Sequence, residues 1–435
     1  VKRVLIITYY WPPSGGAGVQ RWLKFSKYLP ENGWQPVVFT PENPEIPVVD
    51  ESLKKDIPEQ VEVVKIPIWE PYQLYKRFAG IKKEDKIQPG FATDRKKSAL
   101  VEYVSLWTRG NLFIPDARKF WIGPSVKYLK QYLKDHPVDA IVSTGPPHSM
   151  HLIALKLKKH FDIKWIADFR DPWSTMDYLD KMHLSSLAWK RHRQLEQKVF
   201  DKADHVLSVS NTWASEMNIK DRSKVSVITN GFDGKDFEND TDVAEDDSFN
   251  IVYAGILSEY RIPHGLFEAL NALMEGNDEF YEKTKIIIYG SIDQEVYRVL
   301  ENYPKVKERF IFKGYVAHDE VIEKYKKASL LLLILNNSHI VKGNIPGKFF
   351  EYLGSGKPIL AIGSEEGDVA EILHSGNHGA FVTGNDVSRF KERLLAFFKG
   401  DSTSADISKG DVSKFDRKNL TKALVEILNG PMKND

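Results

Sequence analysis

Short, nearly continuous apolar runs recur along the chain. In its first half they are Val4 to Ile7, Val37 to Thr40, Ala140 to Ser143, the run opening at Trp165, His205 to Ser210 and Val225 to Ile228. In its second half they are Ile251 to Ala254, Lys285 to Tyr289, Phe310 to Lys313, Leu330 to Leu335, Ile359 to Ala361 and Ala380 to Val382. A run that is apolar throughout, rather than alternating, marks a strand buried on both faces, as in a parallel sheet covered by helices. Stretches with helical spacing lie between: one through Leu23, Phe25 and Leu29, one from His151 through Leu157, a long one from Ser185 to Lys202, and a last one from Arg417 to Leu428. The alternation predicts an α/β protein of two doubly wound domains. Asp236 to Ser248, mostly acidic residues and Asn with little to bury, reads as the linker. It sets a first domain over 1–240 and a second over 249–412, leaving 413–435 for the final helix.

The stretch Gly343 to Pro358, GNIPGKFFEYLGSGKP, holds the densest chemistry. Asn344 to Gly347 reads as a helix start, with Asn344 as polar cap, Pro346 at the first helical position and Lys348 in the first turn. Gly354 or Gly356 ends the helix. A helix start offers unpaired N–H groups to a phosphate, and Lys348 adds a full charge beside Gly347. Glu351 shares a face with Lys348 and can accept hydrogen bonds from two ribose hydroxyls. The plain alternative is a capped surface helix with a solvated Lys–Glu pair.

Three other places carry candidate chemistry. After the first strand, Gly15, Gly16 and Gly18 allow a ligand close to the backbone before a helix start, or simply a tight turn; the spacing is not that of the dinucleotide fingerprint. The loop Thr144-Gly-Pro-Pro-His-Ser149 presents His148 after a strand, to a substrate or as a structural histidine. In Trp165-Ile-Ala-Asp-Phe-Arg-Asp-Pro-Trp173, the trio Asp168, Arg170 and Asp171 cannot be buried unpaired. It reads either as an arginine fixing a loop with two carboxylates or as a carboxylate aimed at an acceptor hydroxyl.

With 435 residues, 42% hydrophobic and 28% charged, the chain suits two or three soluble domains. A net charge of +1 gives no global attraction to nucleic acid, and the absence of cysteine excludes disulfides and thiol chemistry. No apolar stretch approaches the roughly 20 residues that span a bilayer. The opening Val1-Lys-Arg-Val-Leu-Ile-Ile7 is a strand signal rather than a signal peptide, so a cytoplasmic protein is expected. Residues 72 to 134 carry fourteen basic against five acidic side chains, interleaved with aromatic residues. Such a surface suits the anionic inner face of the plasma membrane or a lipid-diphosphate acceptor, or is a solvated insertion.

The ordered set of phrases resembles the family 4 glycosyltransferases with the GT-B fold. The matching pieces are Val4 to Val19, Ala167-Asp-Phe-Arg-Asp-Pro-Trp173, Ala203 to Ser210 and Val227-Ile-Thr-Asn-Gly-Phe-Asp233 in the first half. In the second they are Val252-Tyr-Ala-Gly255, Phe312-Lys-Gly-Tyr-Val316, Pro346 to Leu353 and Gly356-Lys-Pro358. Members that assemble capsule and cell-surface polysaccharide look similar. The resemblance implies two Rossmann-like domains facing across a cleft, the second holding a nucleotide sugar and the first an acceptor, with the last helix returning to the first domain. It implies retention at the anomeric carbon, no metal, and no cofactor beyond the UDP- or GDP-sugar that is the substrate. Position by position, Glu351 matches the ribose-binding glutamate, Lys348 and Arg261 are placed for the diphosphate, and the backbone around Tyr315 and Val316 for the base. Gly15 and Gly16 would approach the phosphate or sugar, and His148 or Asp168 the sugar or acceptor. The sequence departs where the family's earlier glutamate would be: eight positions before Glu351 stands Gly343. That departure keeps a catalytically inactive nucleotide-sugar-binding partner in view, beside a nucleotide-sugar 2-epimerase of the same architecture. Nucleic acid is not expected as a partner.

Overall fold

The computed structural model describes the chain except for residues 47, 72–98, 239–246, 336–341, 401–409 and 432–435. It forms two compact units, Val1–Thr229 together with the chain from Thr421 on, and Asn230–Leu420.

Among the described residues, the first unit is built on seven parallel strands: β1 (Lys2–Ile7), β2 (Trp34–Pro41), β3 (Glu62–Ile66), β4 (Ala140–Gly145), β5 (Lys164–Phe169), β6 (His205–Ser208) and β7 (Val225–Val227). Their order across the sheet is β3-β2-β1-β4-β5-β6-β7. Leu5 on β1 stands beside Val37 on one side and Ile141 on the other. Most of these runs are buried on both faces, as their continuous apolar character requires. β3 is a strand that the apolar pattern does not mark. It is the sheet edge, so Glu62 and Lys65 keep contact with water and interrupt the run.

The second unit repeats the plan with β8 (Phe249–Leu257), β9 (Thr284–Ile292), β10 (Phe310–Gly314), β11 (Leu330–Ile334), β12 (Ile359–Gly363) and β13 (Gly379–Thr383), ordered β10-β9-β8-β11-β12-β13. In each sheet the order reverses next to the first strand, between β1 and β4 and between β8 and β11. Loops leaving the C-terminal ends there diverge to opposite faces and open a crevice. The helices that matter to these two edges are α1 (Ala17–Tyr28), α2 (Ser149–Leu157), α3 (Ser186–Lys202), α4 (His318–Lys326), α5 (Gly347–Ser355) and α6 (Arg417–Asn429).

The boundary between units falls at Thr229, before the acidic stretch expected to mark it. Phe232, 7% exposed, and Phe237 lie against Gly354 on α5, so tightly that a Cβ on Gly354 would come within 2.7 and 2.8 Å of their rings. The Phe232 N–H also donates to the Phe415 carbonyl at 3.1 Å. That packing assigns the segment after β7 to the second unit. At the other end of the chain, the Lys164 ammonium donates to the Gly430 carbonyl at 2.7 Å and to that of Ile427, a basic group on the C-terminus of α6.

The first core encloses a complete ion pair. Asp168, at the end of β5, accepts from Arg21 Nη2 at 2.9 Å, Trp22 Nε1 at 2.7 Å and Thr144 Oγ1 at 2.8 Å. Both charged side chains are 0% exposed. Arg21 also donates to the Thr229 carbonyl at 2.8 Å, and it holds the Asp168 carboxyl below the usual range against the opposing effect of burial. The pair thus ties α1 to β5 and to the end of the unit. The expected knot of one arginine between two carboxylates is replaced by this longer-range one. Arg170 donates instead to the carbonyls of Gly18, at 2.6 Å, and Pro146, fastening the glycine loop to the loop after β4.

Candidate active site

The C-terminal edge of the second sheet gathers the expected phosphate and ribose groups. Helix α5 begins at Gly347, with Pro346 in the N-cap position at φ −60° and ψ 140° and no side chain capping it. Asn344 therefore does not cap, and the proline stands one place earlier than expected. The first N–H groups of the helix are left for a ligand. The helix stops at Gly356, φ +66°, and buries Phe349, Phe350, Tyr352 and Leu353, each worth about 1.5–3 kcal/mol. That burial fixes which way Lys348 and Glu351 face.

Lys348 folds back over the sheet. Its Nζ donates to the Ala254 carbonyl at 2.9 Å and lies 3.9 Å from the centre of the Tyr253 ring. Burial lowers its pKa to about 7, the nearby Arg261 adds to the fall, and Glu351 opposes it. Arg261 follows β8 in the short turn Glu259–Arg261 and bonds to the Tyr253 hydroxyl. Backbone and ammonium approach so closely here that side chains are excluded. A Cβ on Gly255 would sit 3.0 Å from Lys348 Nζ, and one on its strand partner Gly290, φ +123°, would sit 2.1 Å from the Gly255 oxygen. Glu351, its side chain 19% exposed, meets His318 Nε2 at 3.0 Å and lies beside the Tyr325 hydroxyl, whose pKa its charge helps to raise. Tyr315, 63% exposed, and Val316 form the loop from β10 into α4, just before His318. Gly343, where the family carries a carboxylate, is buried.

The corresponding edge of the first sheet is chemically different. Gly15 is pinned by its N–H to the Val48 carbonyl at 2.9 Å. Gly16, φ +89°, caps α1 with no side-chain hydrogen bond, and a Cβ there would meet nothing within 4 Å. His148 is 2% exposed and stacks on Trp173 with ring centres 4.8 Å apart and planes 2° from parallel. Neither of its ring nitrogens makes a hydrogen bond of normal geometry among the described residues. Burial, and then His151, Arg170 and His192, hold its pKa well below the ordinary value. Burial likewise lowers that of His151 to about 3, with its Nδ1 2.8 Å from Ser143 Oγ. Trp173 Nε1 donates to His192 Nδ1 at 3.0 Å. This is a neutral, packed cluster, so a contact between His148 and a sugar would need the loops over it to part. Asp168 lies deeper still, with both carboxylate oxygens engaged by Arg21, Trp22 and Thr144. Asp171 is half-buried, and burial raises its pKa while Arg170 opposes the rise.

Solved structures of similar shape extend over the whole chain. A glycosyltransferase from Rickettsia africae has a TM-score of 0.64 at 15% identity, with 100% of this chain and 99% of that one covered. HepE of Anabaena, in complex with UDP-glucose, has 0.63 at 13%, covering 98% and 99%. A TarM variant of S. aureus, in complex with fondaparinux, α-GlcNAc-glycerol and UDP, has 0.61 at 10%, covering 99% and 100%. These likenesses show the GT-B fold. No curated protein sequence matches the chain. The family model described as Glycosyltransferase Family 4 matches residues 87–235, and that described as Glycosyl transferases group 1 matches residues 248–399. The chain is a GT-B glycosyltransferase.

In this glycosyltransferase several site residues escape a reading of the sequence alone. His318, Tyr325 and Tyr253 stand on other elements from the residues they serve, and only strand order brings them together. Lys348 also leaves a thermodynamic trace. Between pH 7 and its unperturbed pKa of about 10.4, Lys348 is largely neutral in the folded glycosyltransferase but charged when unfolded, so the unfolded state binds the extra proton. Its contribution to stability therefore rises with pH over that window. Lys348→Met should raise the melting temperature most at pH 7 and below, by an amount corresponding to about 1–4 kcal/mol. The advantage over wild type should shrink towards pH 10. Calorimetric melts of both proteins from pH 6.5 to 10 would show it, and a pH-independent difference would refute the lowered lysine pKa.

Proposed function

We propose that this glycosyltransferase transfers a sugar, with retention and without a metal, from a UDP- or GDP-sugar to a glycan or lipid-linked acceptor in cell-surface polysaccharide synthesis. The observation that carries the proposal is one helix end. The uncapped start of α5 presents Gly347 and Lys348 beside Arg261, and Glu351 follows one turn later at the same edge. Phosphate groups would lie on the N–H groups and the two cations, and the ribose diol on the carboxylate. HepE and TarM, of the same fold, were solved with UDP-glucose and with UDP, which supports this reading.

As the glycosidic bond breaks, negative charge grows on the departing diphosphate. Lys348, Arg261 and the helix N–H groups then bind the transition state more tightly than the substrate. Loss of one of them should raise the barrier by roughly 2.7–4 kcal/mol, by analogy with a lost oxyanion donor. In a front-face reaction the departing phosphate oxygen itself takes the proton of the attacking hydroxyl, so no side-chain base is needed. The saturated state of Asp168 and the neutral, enclosed state of His148 agree with that. Gly343 favours a second reading, a protein that binds the nucleotide sugar without turning it over. Slow hydrolysis of the donor in the absence of acceptor separates the two.

We place the protein at the inner face of the plasma membrane. The helix Ala99–Leu112 exposes Leu100, Tyr103, Val104 and Trp107, spaced i, i+3, i+4 and i+7, next to the basic stretch. Of that stretch, residues 72–98 lie outside the described residues. No helix among the described residues is long and apolar enough to cross a membrane.

Two measurements test these readings. UDP or GDP at about a hundred times its dissociation constant should stabilise wild type by roughly 2.7 kcal/mol, and Glu351→Ala should abolish most of the melting shift. An unchanged shift in Glu351→Ala would remove the ribose assignment. Co-sedimentation with phosphatidylserine vesicles should fall several-fold in Trp107→Ser, whereas equal sedimentation of both would remove the membrane contact.

A further inference from the structure

The ribose-binding carboxylate does not stand alone. Helix α4 presents His318 and Tyr325, seven residues apart and so on one face of the helix, to Glu351 on α5. His318 Nε2 lies 3.0 Å from Glu351 Oε1, and the pair is mostly sheltered, with 16% and 19% of the two side chains exposed. Tyr325 is 2% exposed and meets Tyr352 edge-on, ring centres 4.9 Å apart, so its hydroxyl has little freedom. Burial and the neighbouring Glu351 charge both raise its phenol pKa, which keeps it a donor. A carboxylate has about four acceptor positions, and two donors from the protein leave room for a diol.

We infer that His318 is a positioning residue for nucleotide recognition, holding Glu351 through its Nε2–H so that the free lone pairs of the carboxylate face the 2′ and 3′ hydroxyls of a ribose. The inference rests on the assignment of Glu351 to the ribose. A glutamate side chain on a half-exposed helix face samples several rotamers, and ordering it at the moment of binding costs affinity. His318 supplies that order beforehand. It is also the first residue of α4, directly after the loop of Tyr315 and Val316. A displacement of that loop by the base would therefore be felt at the ribose carboxylate, which couples recognition of base and sugar.

The experiment is calorimetric titration of the full chain with UDP and 2′-deoxy-UDP, and with GDP and 2′-deoxy-GDP, in wild type, Glu351→Ala, His318→Ala and His318→Gln. A hydrogen bond to a charged group corresponds to about tenfold or more in affinity, so wild type should prefer the ribonucleotide by that factor. Glu351→Ala should erase the preference. His318→Ala should reduce it to within about threefold while weakening the deoxynucleotide, which keeps only its 3′ hydroxyl for the carboxylate, by a smaller factor than the ribonucleotide, and His318→Gln, whose amide can still donate, should restore part of it. A merely structural histidine would weaken both nucleotides equally and lower the melting temperature. That result overturns the inference. So does tighter ribonucleotide binding by His318→Ala, which would make the histidine a competitor for the carboxylate. If Glu351→Ala keeps the preference, the ribose assignment itself fails and the inference falls with it. If Glu351→Ala loses it and His318→Ala does not, only the inference fails.

Discussion

A partly buried lysine ammonium, engaged by a carbonyl and a ring face, is the constraint on which the second unit's chemistry depends. Lys348 exchanges bulk hydration for one carbonyl and one ring face, and its pKa falls to about 7 as a result. Such a group is costly in the empty protein and becomes favourable when an anion arrives. The surroundings explain why the cost is tolerated. The paired glycines of β8 and β9 bring the backbone close enough for the Ala254 carbonyl to receive the ammonium. The buried aromatic face of α5 locks the helix that carries it. Strand order then places this helix end at the reversal between β8 and β11, so fold and charge converge on one crevice.

The first unit solves a similar electrostatic problem in the opposite sense. Two of its buried charges have internal partners: Asp168 accepts from Arg21, Trp22 and Thr144, and Arg170 donates to carbonyls of the neighbouring loops. His148 and His151 are held neutral by burial and stacked on aromatic rings. That edge is enclosed by its own contacts, whereas the second unit's edge brings Lys348 and Arg261 beside an uncapped helix end.

Much of this was legible in the residues. Continuous apolar runs marked the buried strands, and the helix ending at Gly356 could be read from its glycines and the proline after it. Lys348 and Glu351 could be set on one helix because three residues is a local distance there, though their partners, the Ala254 carbonyl and His318, come from other elements. What was not legible depends on distances the chain closes only by folding. Asp168 takes its arginine from α1, far back in sequence, so the nearer Arg170 was the natural but incorrect partner. β3 was hidden because an edge strand tolerates Glu62 and Lys65. The boundary at Thr229 was obscured because polar composition marks where little is buried, while Phe232 and Phe237 decide the boundary by packing on Gly354. His318 gave no local signal, since its partner lies on another helix.

Hydrogen–deuterium exchange of the full chain, with and without saturating UDP or GDP, tests the central claim most directly. If the nucleotide diphosphate sits on the start of α5, exchange should slow in peptides covering Gly347–Leu353 and Ala254–Arg261. Slower exchange confined to the loops after β1 and β4, with none at Gly347–Leu353, would contradict it.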